Sequence, residues 1–397
     1  MGVVWVVVER GRRVLAIALI VTASPIRAET FVELLGSNTL GQPFARALAQ
    51  QVARSIPLPS ASAGVSYVLT DDPLVPGERV VSLAGQLYLE RPDTLGRGRW
   101  NVSLAYQRVR IDTVGGDDIR DLRDVEPPLC GRFGCGRTLT VPKLSIDLAV
   151  DQAIAGVTYG VTDDVEVNLT VPTLASELDF DVFVRLDDGS TDQAHASNSK
   201  LGVGDLLART KWRFLDAGRV RAAVGLGLRI PSGEEENFQG TGDTELAPQL
   251  SLAGDLCRLG RVRLVSILNG ALDADLADGD RSQARWGLGL DVHVGDAATV
   301  AVAVLGRHPF ARIAPPGFFD VPRCRDRSTC TGAERRPVFG LSGERPDFYD
   351  FAVGTRVNLW RHWVIGFANA IVPLNRDGFR ADVIPFVGVE AVLGRPG

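Results

Sequence analysis

The chain has 397 residues, with 43 basic and 48 acidic side chains and a formal net charge of −5. No basic stripe runs along it, which excludes the electrostatic footprint of a nucleic-acid-binding protein. Its composition is 45% hydrophobic but only 7% aromatic, with 43 Gly and one Met, which favours strands and tight turns over helical bundles.

Arg10, Arg12 and Arg13 precede the apolar run Val14 to Ala23, and Ser24-Pro25-Ile26-Arg27-Ala28 follows. That order is the one of a secretory signal, and the run is too short to span a bilayer. Residues 1–28 are therefore expected to be a signal peptide removed near Ala28. The apolar stretch Met1 to Val8 upstream of the arginines departs from the usual pattern. No later window reaches about 18 uninterrupted apolar residues, so a membrane protein made from the remainder would have to be a barrel.

Residues 29–61 do not alternate. Phe44, Leu48, Val52 and Ile56 recur every four residues and predict a short helix ending before Pro57 and Pro59. Two readings stay open for this leader: a periplasmic helix at the barrel end, or a hatch folded into the lumen.

From residue 62 to 397, segment after segment alternates with period two, so each strand has one apolar and one polar or small face. Trp286, Leu288, Leu290, Val292 and Val294 oppose Arg285, Gly287, Gly289, Asp291 and His293; Val165, Val167, Leu169 and Val171 oppose Glu166, Asn168 and Thr170. Short connections (Asp93 to Gly96, Thr162 to Asp164, Asp216 to Gly218, Cys257 to Gly260, Gly295 to Ala297, Arg361 to His362) alternate with long ones at 113–138, 187–201, 232–243, 273–282, 312–346 and 374–379. Segregated loop lengths and long strands point to an all-β, antiparallel transmembrane β-barrel rather than a soluble sandwich. The count, starting with strands at 62–70 and near 80, is about 14, within 12 to 16, with both termini periplasmic.

If the apolar face meets lipid, the pore-lining candidates are Asp147, Asp151, Glu166, Asp205, Arg209, Lys211, Arg213, Arg219, Arg221, Arg229, Glu245, Arg285, Asp291, His293, Arg356 and Asp382. Such a mixture suits either a screened pore or a salt-bridged, closed lumen. Cys130 and Cys135, and Cys324 and Cys330, are disulfide candidates in two long loops, paired locally or across the loops; Cys257, in an expected short turn, is left over.

No catalytic, cofactor-binding or metal motif stands out. There is no Gly-x-Ser-x-Gly elbow, Walker loop or His-Glu-x-x-His, and His195, His293, His308 and His362 are scattered. Glu234-Glu235-Glu236 reads as a solvated acidic loop more simply than as a cation site. His293 shares a face with Asp291 and Arg285, which a barrel hydrolase would use to activate a serine; a hydrogen-bonded lumen residue is the simpler reading.

Several stretches resemble outer-membrane proteins of the phenol meta-cleavage (MetA) pathway family. They are Gly41-Gln42-Pro43-Phe44 through Ile56-Pro57-Leu58-Pro59-Ser60, Ala63-Gly64-Val65-Ser66-Tyr67, and Thr94-Leu95-Gly96-Arg97-Gly98. Further along come Tyr159-Gly160-Val161-Thr162-Asp163 with Val171-Pro172, and Gly202-Val203-Gly204-Asp205 leading into Arg209-Thr210-Lys211-Trp212-Arg213-Phe214. The last is Arg229-Ile230-Pro231-Ser232-Gly233 to Asn237, with Gly240-Thr241-Gly242 beyond. That family is similar in outline to fatty-acid and toluene uptake channels, and the resemblance implies passive uptake of small, hydrophobic or aromatic molecules. The end, Leu393-Gly394-Arg395-Pro396-Gly397, lacks the terminal aromatic that such barrels present to the barrel assembly machinery.

The expected partners are thus outer-membrane lipid, small-molecule solutes and the assembly machinery, with no nucleic acid and no cofactor; oligomeric state is open. A plugged barrel presenting disulfide-tied loops is the alternative to a channel, and a hydrolase is a third.

Overall fold

The computed structural model describes residues 2–10, 13–21, 30–33, 49, 52–54, 56–57, 65–69, 79–83, 88–125, 140–185, 189–295, 297–310, 316–323, 334–341, 345–360 and 363–393. It divides into two units, Met1–Thr30 and Phe31–Gly397. In the first, Gly2–Arg10 and Arg13–Val21 pair as an antiparallel hairpin from Gly2↔Val21 to Arg10↔Arg13. This hairpin carries the residues expected to form the export signal.

The second unit is an up-and-down antiparallel barrel. Among the described residues, twelve strands close into a ring. They are β1 (Trp100–Ile111), β2 (Thr140–Gly160), β3 (Val165–Arg185), β4 (Leu206–Asp216), β5 (Val220–Ile230) and β6 (Glu245–Leu259). Then come β7 (Val262–Asp275), β8 (Gln283–Val294), β9 (Ala298–Pro309), β10 (Phe348–Trp360), β11 (Val364–Pro373) and β12 (Ile384–Leu393). Each strand pairs with its neighbours in sequence, and β12 closes on β1 from Phe386↔Gln107 to Leu393↔Trp100. Closure removes both sheet edges, so no row of backbone donors and acceptors is left open along the ring.

The strand ends flanking connections 161–164, 217–219, 260–261, 295–297 and 361–363 lie at one end of the barrel; those flanking 112–139, 186–205, 231–244, 276–282, 310–347 and 374–383 lie at the other. The ring differs from the expected count in its first two strands. Val65–Leu69 and Arg79–Leu83 pair with each other and not with the barrel, because the residues that follow do not continue as strand. Leu89-Glu90-Arg91-Pro92-Asp93 has neither alternation nor a full set of ladder donors, so residues 88–99 enter the barrel instead of its wall.

Two ring strands, β2 and β3, overshoot the ring at the long-loop end, and two further strands bond to them there. The upper part of β3, Thr173–Arg185, pairs with β2 on one side and with Thr191–Val203 on the other, so the expected loop at 187–201 is largely strand. Leu122–Val125 adds to the top of β2.

Polarity inverts along these strands. Low on β3 the outer face carries Val165, Val167, Leu169 and Val171, while Glu166 and Thr170 are buried inside. Higher up, Leu174, Leu178, Phe180 and Val182 are buried and Glu177, Asp179 and Asp181 face outward. On β2, Leu144, Ile146, Leu148 and Val150 are likewise buried. Each such side chain removed from water contributes about 1.5–3 kcal/mol, so the overshoot is built like an ordinary water-soluble core.

Candidate functional site

The barrel interior is the candidate site, and it is filled from two directions. At the short-turn end, residues 88–99 run inside the wall before turning into β1. Gly160 permits the exit: a Cβ there would lie 1.9 Å from the Gly96 carbonyl oxygen, and the two chains exchange Gly98 N–H to Gly160 O at 2.8 Å and Gly160 N–H to Arg99 O at 2.9 Å. Higher up, Leu89 packs into the space left by Gly287 and Gly289 of β8, where added Cβ atoms would sit 2.2 and 2.5 Å from its methyls.

Charge pairing holds the segment. Lys211 Nζ is 2.7 Å from Glu166 Oε1, 3.2 Å from Glu90 Oε1 and 3.0 Å from the Arg91 carbonyl. The other oxygen of Glu166 accepts the Leu95 N–H at 2.7 Å. Arg91, 1% exposed, bridges Asp93 at 2.7 Å and Asp291 at 3.0 Å. Asp93 in turn meets Arg221 at 2.5 Å, and Arg221 continues to Asp255 at 2.8 Å and thence to Arg263 at 2.6 Å. A buried charge is tolerated when paired and hydrogen-bonded, and each of these ions meets that condition. Beside it, Arg356 meets Glu390 at 3.4 Å and Asn101 donates to Glu390 at 2.9 Å, a buried grouping of β10, β12 and β1.

The leader enters from the long-loop end. Phe31 rests on Phe238 of connection 231–244 at a centroid distance of 5.1 Å. Arg54 reaches Asp275 at 2.9 Å and Glu245 at 3.6 Å, and the Pro57 carbonyl accepts from Gln107 at 2.8 Å. Val52 and Ile56, two of the four residues of the predicted leader helix, are buried against inner-face side chains; Phe44 and Leu48 lie outside the described residues.

Between leader and segment 88–99 lies a cavity of about 200 Å³. Arg54, Arg209, Arg229, Arg285, Arg307 and Arg380 line it, with Glu90, Glu245, Asp273 and Asp350. Arg285 and Asp273 pair bidentately at 2.6 and 2.7 Å, Arg229 meets Glu245 at 3.0 Å, and Arg380 meets Asp350 at 3.1 Å. Arg307 lies 4.4 Å over the Phe348 ring and donates to the Arg54 carbonyl. The wall from β11 through β12 to β1 is apolar, formed by Ile371, Ile384, Val109 and Ile111, with Tyr88 and Leu89 beneath.

Of the sequence candidates, the structure turns Glu166, Arg209, Lys211, Arg221, Arg229, Glu245, Arg285, Asp291, His293 and Arg356 inward. Asp205 is buried at the long-loop rim, where it accepts the N–H groups of Gly233 and Thr241 at 3.1 and 2.8 Å. Arg213 sits at the short-turn rim between Asp164 and Asp216.

Four candidates point elsewhere. Asp147 and Asp151 lie on the outer face of the overshoot, paired with Arg110 and Arg108, because the apolar face of β2 turns inward there. Arg219 is exposed in the turn 217–219, and Asp382 is exposed in the connection 374–383, its N–H bonded to Asp112. On the same rim, the Arg120 backbone N–H and guanidinium hold the Asp118 carboxyl below its usual range.

Cys130, Cys135, Cys324 and Cys330 lie outside the described residues; Cys257 is an exposed free thiol, within β6 rather than a turn. His293 Nδ1 faces Thr299 Oγ1 at 3.0 Å while Asp291 is engaged by Arg91, so a Ser-His-Asp relay is not assembled around His293. Strand pairing also gathers Asp179, Asp181 and His195 on the outer face of the overshoot, with His195 Nδ1 2.9 Å from Asp181. A loop over 187–201 would not bring these side chains together; the pairing of Thr173–Arg185 with Thr191–Val203 does.

Sequence reasoning missed Glu90, Arg91 and Asp93. Their signal was the charged, Pro-containing break between two strand-like stretches, together with glycines at 287 and 289 on an inner face, where small residues leave room for an insert.

No family model matches this chain, and no curated protein does. Among solved structures, it is similar to an outer membrane channel from Pseudomonas putida F1, with a TM-score of 0.45 and 13% identity over 76% of this chain and 98% of that one. It is also similar to the NanC porin (TM-score 0.38, 9% identity, 73% and 98% covered) and to a FadL homologue of Pseudomonas aeruginosa (0.33, 10%, 74% and 89%).

Proposed function

We propose that this chain is an outer-membrane channel for small molecules, with its short turns and termini in the periplasm and its lumen closed by its own residues 88–99. The observation that carries this reading is the reversed polarity of the ring: ion pairs inside, and a belt of apolar side chains outside. Leu104 is 58% exposed, Leu288 55% and Trp212 54%. Apolar area left in water costs about 25 cal/mol per Å², whereas in lipid it costs nothing, and a closed ring satisfies its backbone without water.

Aromatic pairs mark both edges of the belt: Trp100 with Tyr159 and Trp212 with Phe214 near the short turns, Trp286 with Tyr349 near the long loops. Such girdles sit at headgroup level in membrane barrels. The segment is held mainly by ion pairs and hydrogen bonds, which water can replace, so the closure is of a kind that can be undone. The resemblance to the phenol meta-cleavage family supports small, hydrophobic or aromatic solutes as cargo.

The test is reconstitution of the mature chain in planar bilayers and liposomes, with and without residues 29–56. Heat-modifiable migration, single-channel conductance and solute swelling are expected; absence of all three rejects the reading. The charge pairing of Glu90, Arg91 and Asp93 with the wall favours, as a second reading, a permanently sealed barrel that presents its loops. It predicts silence in the same assays from a chain that nevertheless inserts and shows heat-modifiable migration.

A further inference from the structure

The cavity above residues 88–99 has two unlike walls. Arg209, Arg229, Arg285 and Arg307 project from β4, β5, β8 and β9, while Val109, Ile371 and Ile384 project from β1, β11 and β12 on the opposite arc of the ring. Arg54 is paired with Asp275 and Glu90 with Lys211, both partners outside the lining; the remaining Arg209, Arg229, Arg285, Arg307 and Arg380 face Glu245, Asp273 and Asp350, so the lining is net cationic. Its volume of about 200 Å³ exceeds the roughly 150 Å³ that accepts benzene in an apolar cavity, leaving room for one ring and a small polar group.

An inorganic anion would leave the apolar arc in contact with water. A neutral ring would use the apolar arc alone and none of the guanidinium donors. A guanidinium, by contrast, matches a carboxylate with two parallel N–H donors.

We propose that this cavity binds a single-ring aromatic monocarboxylate, its carboxylate on the arginine arc and its ring on the β11–β12–β1 arc. The proposal rests on the channel reading only for the route of entry; the binding site stands on its own geometry. Tyr88, Leu89 and Glu90 form its floor, so an occupant touches the segment that closes the lumen.

The test is calorimetric titration of the purified full-length chain in detergent with four probes: benzoate, benzyl alcohol, acetate and benzylamine. Benzoate is expected to bind at least about tenfold more tightly than each of the others. Arg307→Gln should weaken benzoate by about tenfold and leave benzyl alcohol unmoved, whereas Ile384→Asn should weaken both. If either variant fails to fold, the four-probe comparison on the unaltered chain decides alone.

Benzyl alcohol matching benzoate, or acetate matching it, overturns the proposal. Bilayer recordings on the same preparation separate the two readings. A chain that conducts but ignores benzoate rejects this site and leaves the channel intact; a chain that binds benzoate but neither conducts nor shows heat-modifiable migration supports the site and rejects the channel.

Discussion

Asp93→Asn is expected to loosen the inserted segment without harming the barrel. Asp93 is 3% exposed and lies between two guanidinium groups, Arg91 at 2.7 Å and Arg221 at 2.5 Å. The amide removes the shared counter-charge. Arg91 keeps Asp291 at 3.0 Å and Arg221 keeps Asp255 at 2.8 Å, so the cost falls at the lower end of the range for breaking a buried pair, about 3 kcal/mol. None of the ladder bonds of the twelve strands involves this side chain, so the loss falls on docking of residues 88–99. A 3 kcal/mol change shifts a docked-to-undocked ratio by roughly a hundredfold. Single-channel recording should show the open fraction rising by that order, and hydrogen exchange at residues 88–99 should quicken while the β5 to β9 ladder stays protected. An unchanged open fraction with unchanged exchange would refute the claim that this carboxylate latches the segment.

Other expectations follow from the same geometry. Leu89→Ala should also favour the open state, because a truncated core side chain costs about 2–5 kcal/mol and Leu89 is the segment's apolar anchor on Gly287 and Gly289; hydrogen exchange across 88–99 reads it. Leu104→Arg, in the middle of the outer belt, should lower the free energy of refolding into vesicles by about 2–4 kcal/mol. Asp147→Ala, on the overshoot and 40% exposed at its side chain, should cost under about 1 kcal/mol; equal costs for these two variants would contradict the inversion of polarity. A membrane-impermeant maleimide should label Cys257 in the purified chain but not on intact cells, because the end of β6 lies at the short-turn side. Labelling of intact cells that Cys257→Ser abolishes would reverse the assigned orientation.

The strands were legible because period two survives in each of them, and the loop rhythm showed which connections share an end. What alternation could not show was partnership: Val65–Leu69 and Arg79–Leu83 read as strands and are strands, yet they pair only with each other. Nor could it show where the buried and exposed faces exchange polarity. The rule that polar residues face the lumen turns Asp147 and Asp151 inward; in the structure the same alternation carries Leu148 and Val150 in and the aspartates out, as expected where, on the proposed placement, water replaces lipid outside the wall. In the site, the wall's charges were readable from parity, as with Lys211, Arg221 and Asp291. Their partners Glu90, Arg91 and Asp93 were not, because a segment without regular structure has no parity to read.

The inversion on β3 also gives the barrel a length scale. Its outer face stays uncharged from Val165 through Ala175 and turns acidic at Glu177. At a rise of about 3.3 Å per residue, and at the tilt of about 45° expected of a membrane barrel, that stretch would span roughly 25 Å along the normal of the proposed membrane. A thicker hydrocarbon layer would draw Glu177 into oil or force the bilayer to thin around the protein, each at a fraction of a kcal/mol per ångström of mismatch. On the proposed membrane placement, the acidic step would set the bilayer thickness in which this barrel rests without strain and disfavour its residence in thicker membranes.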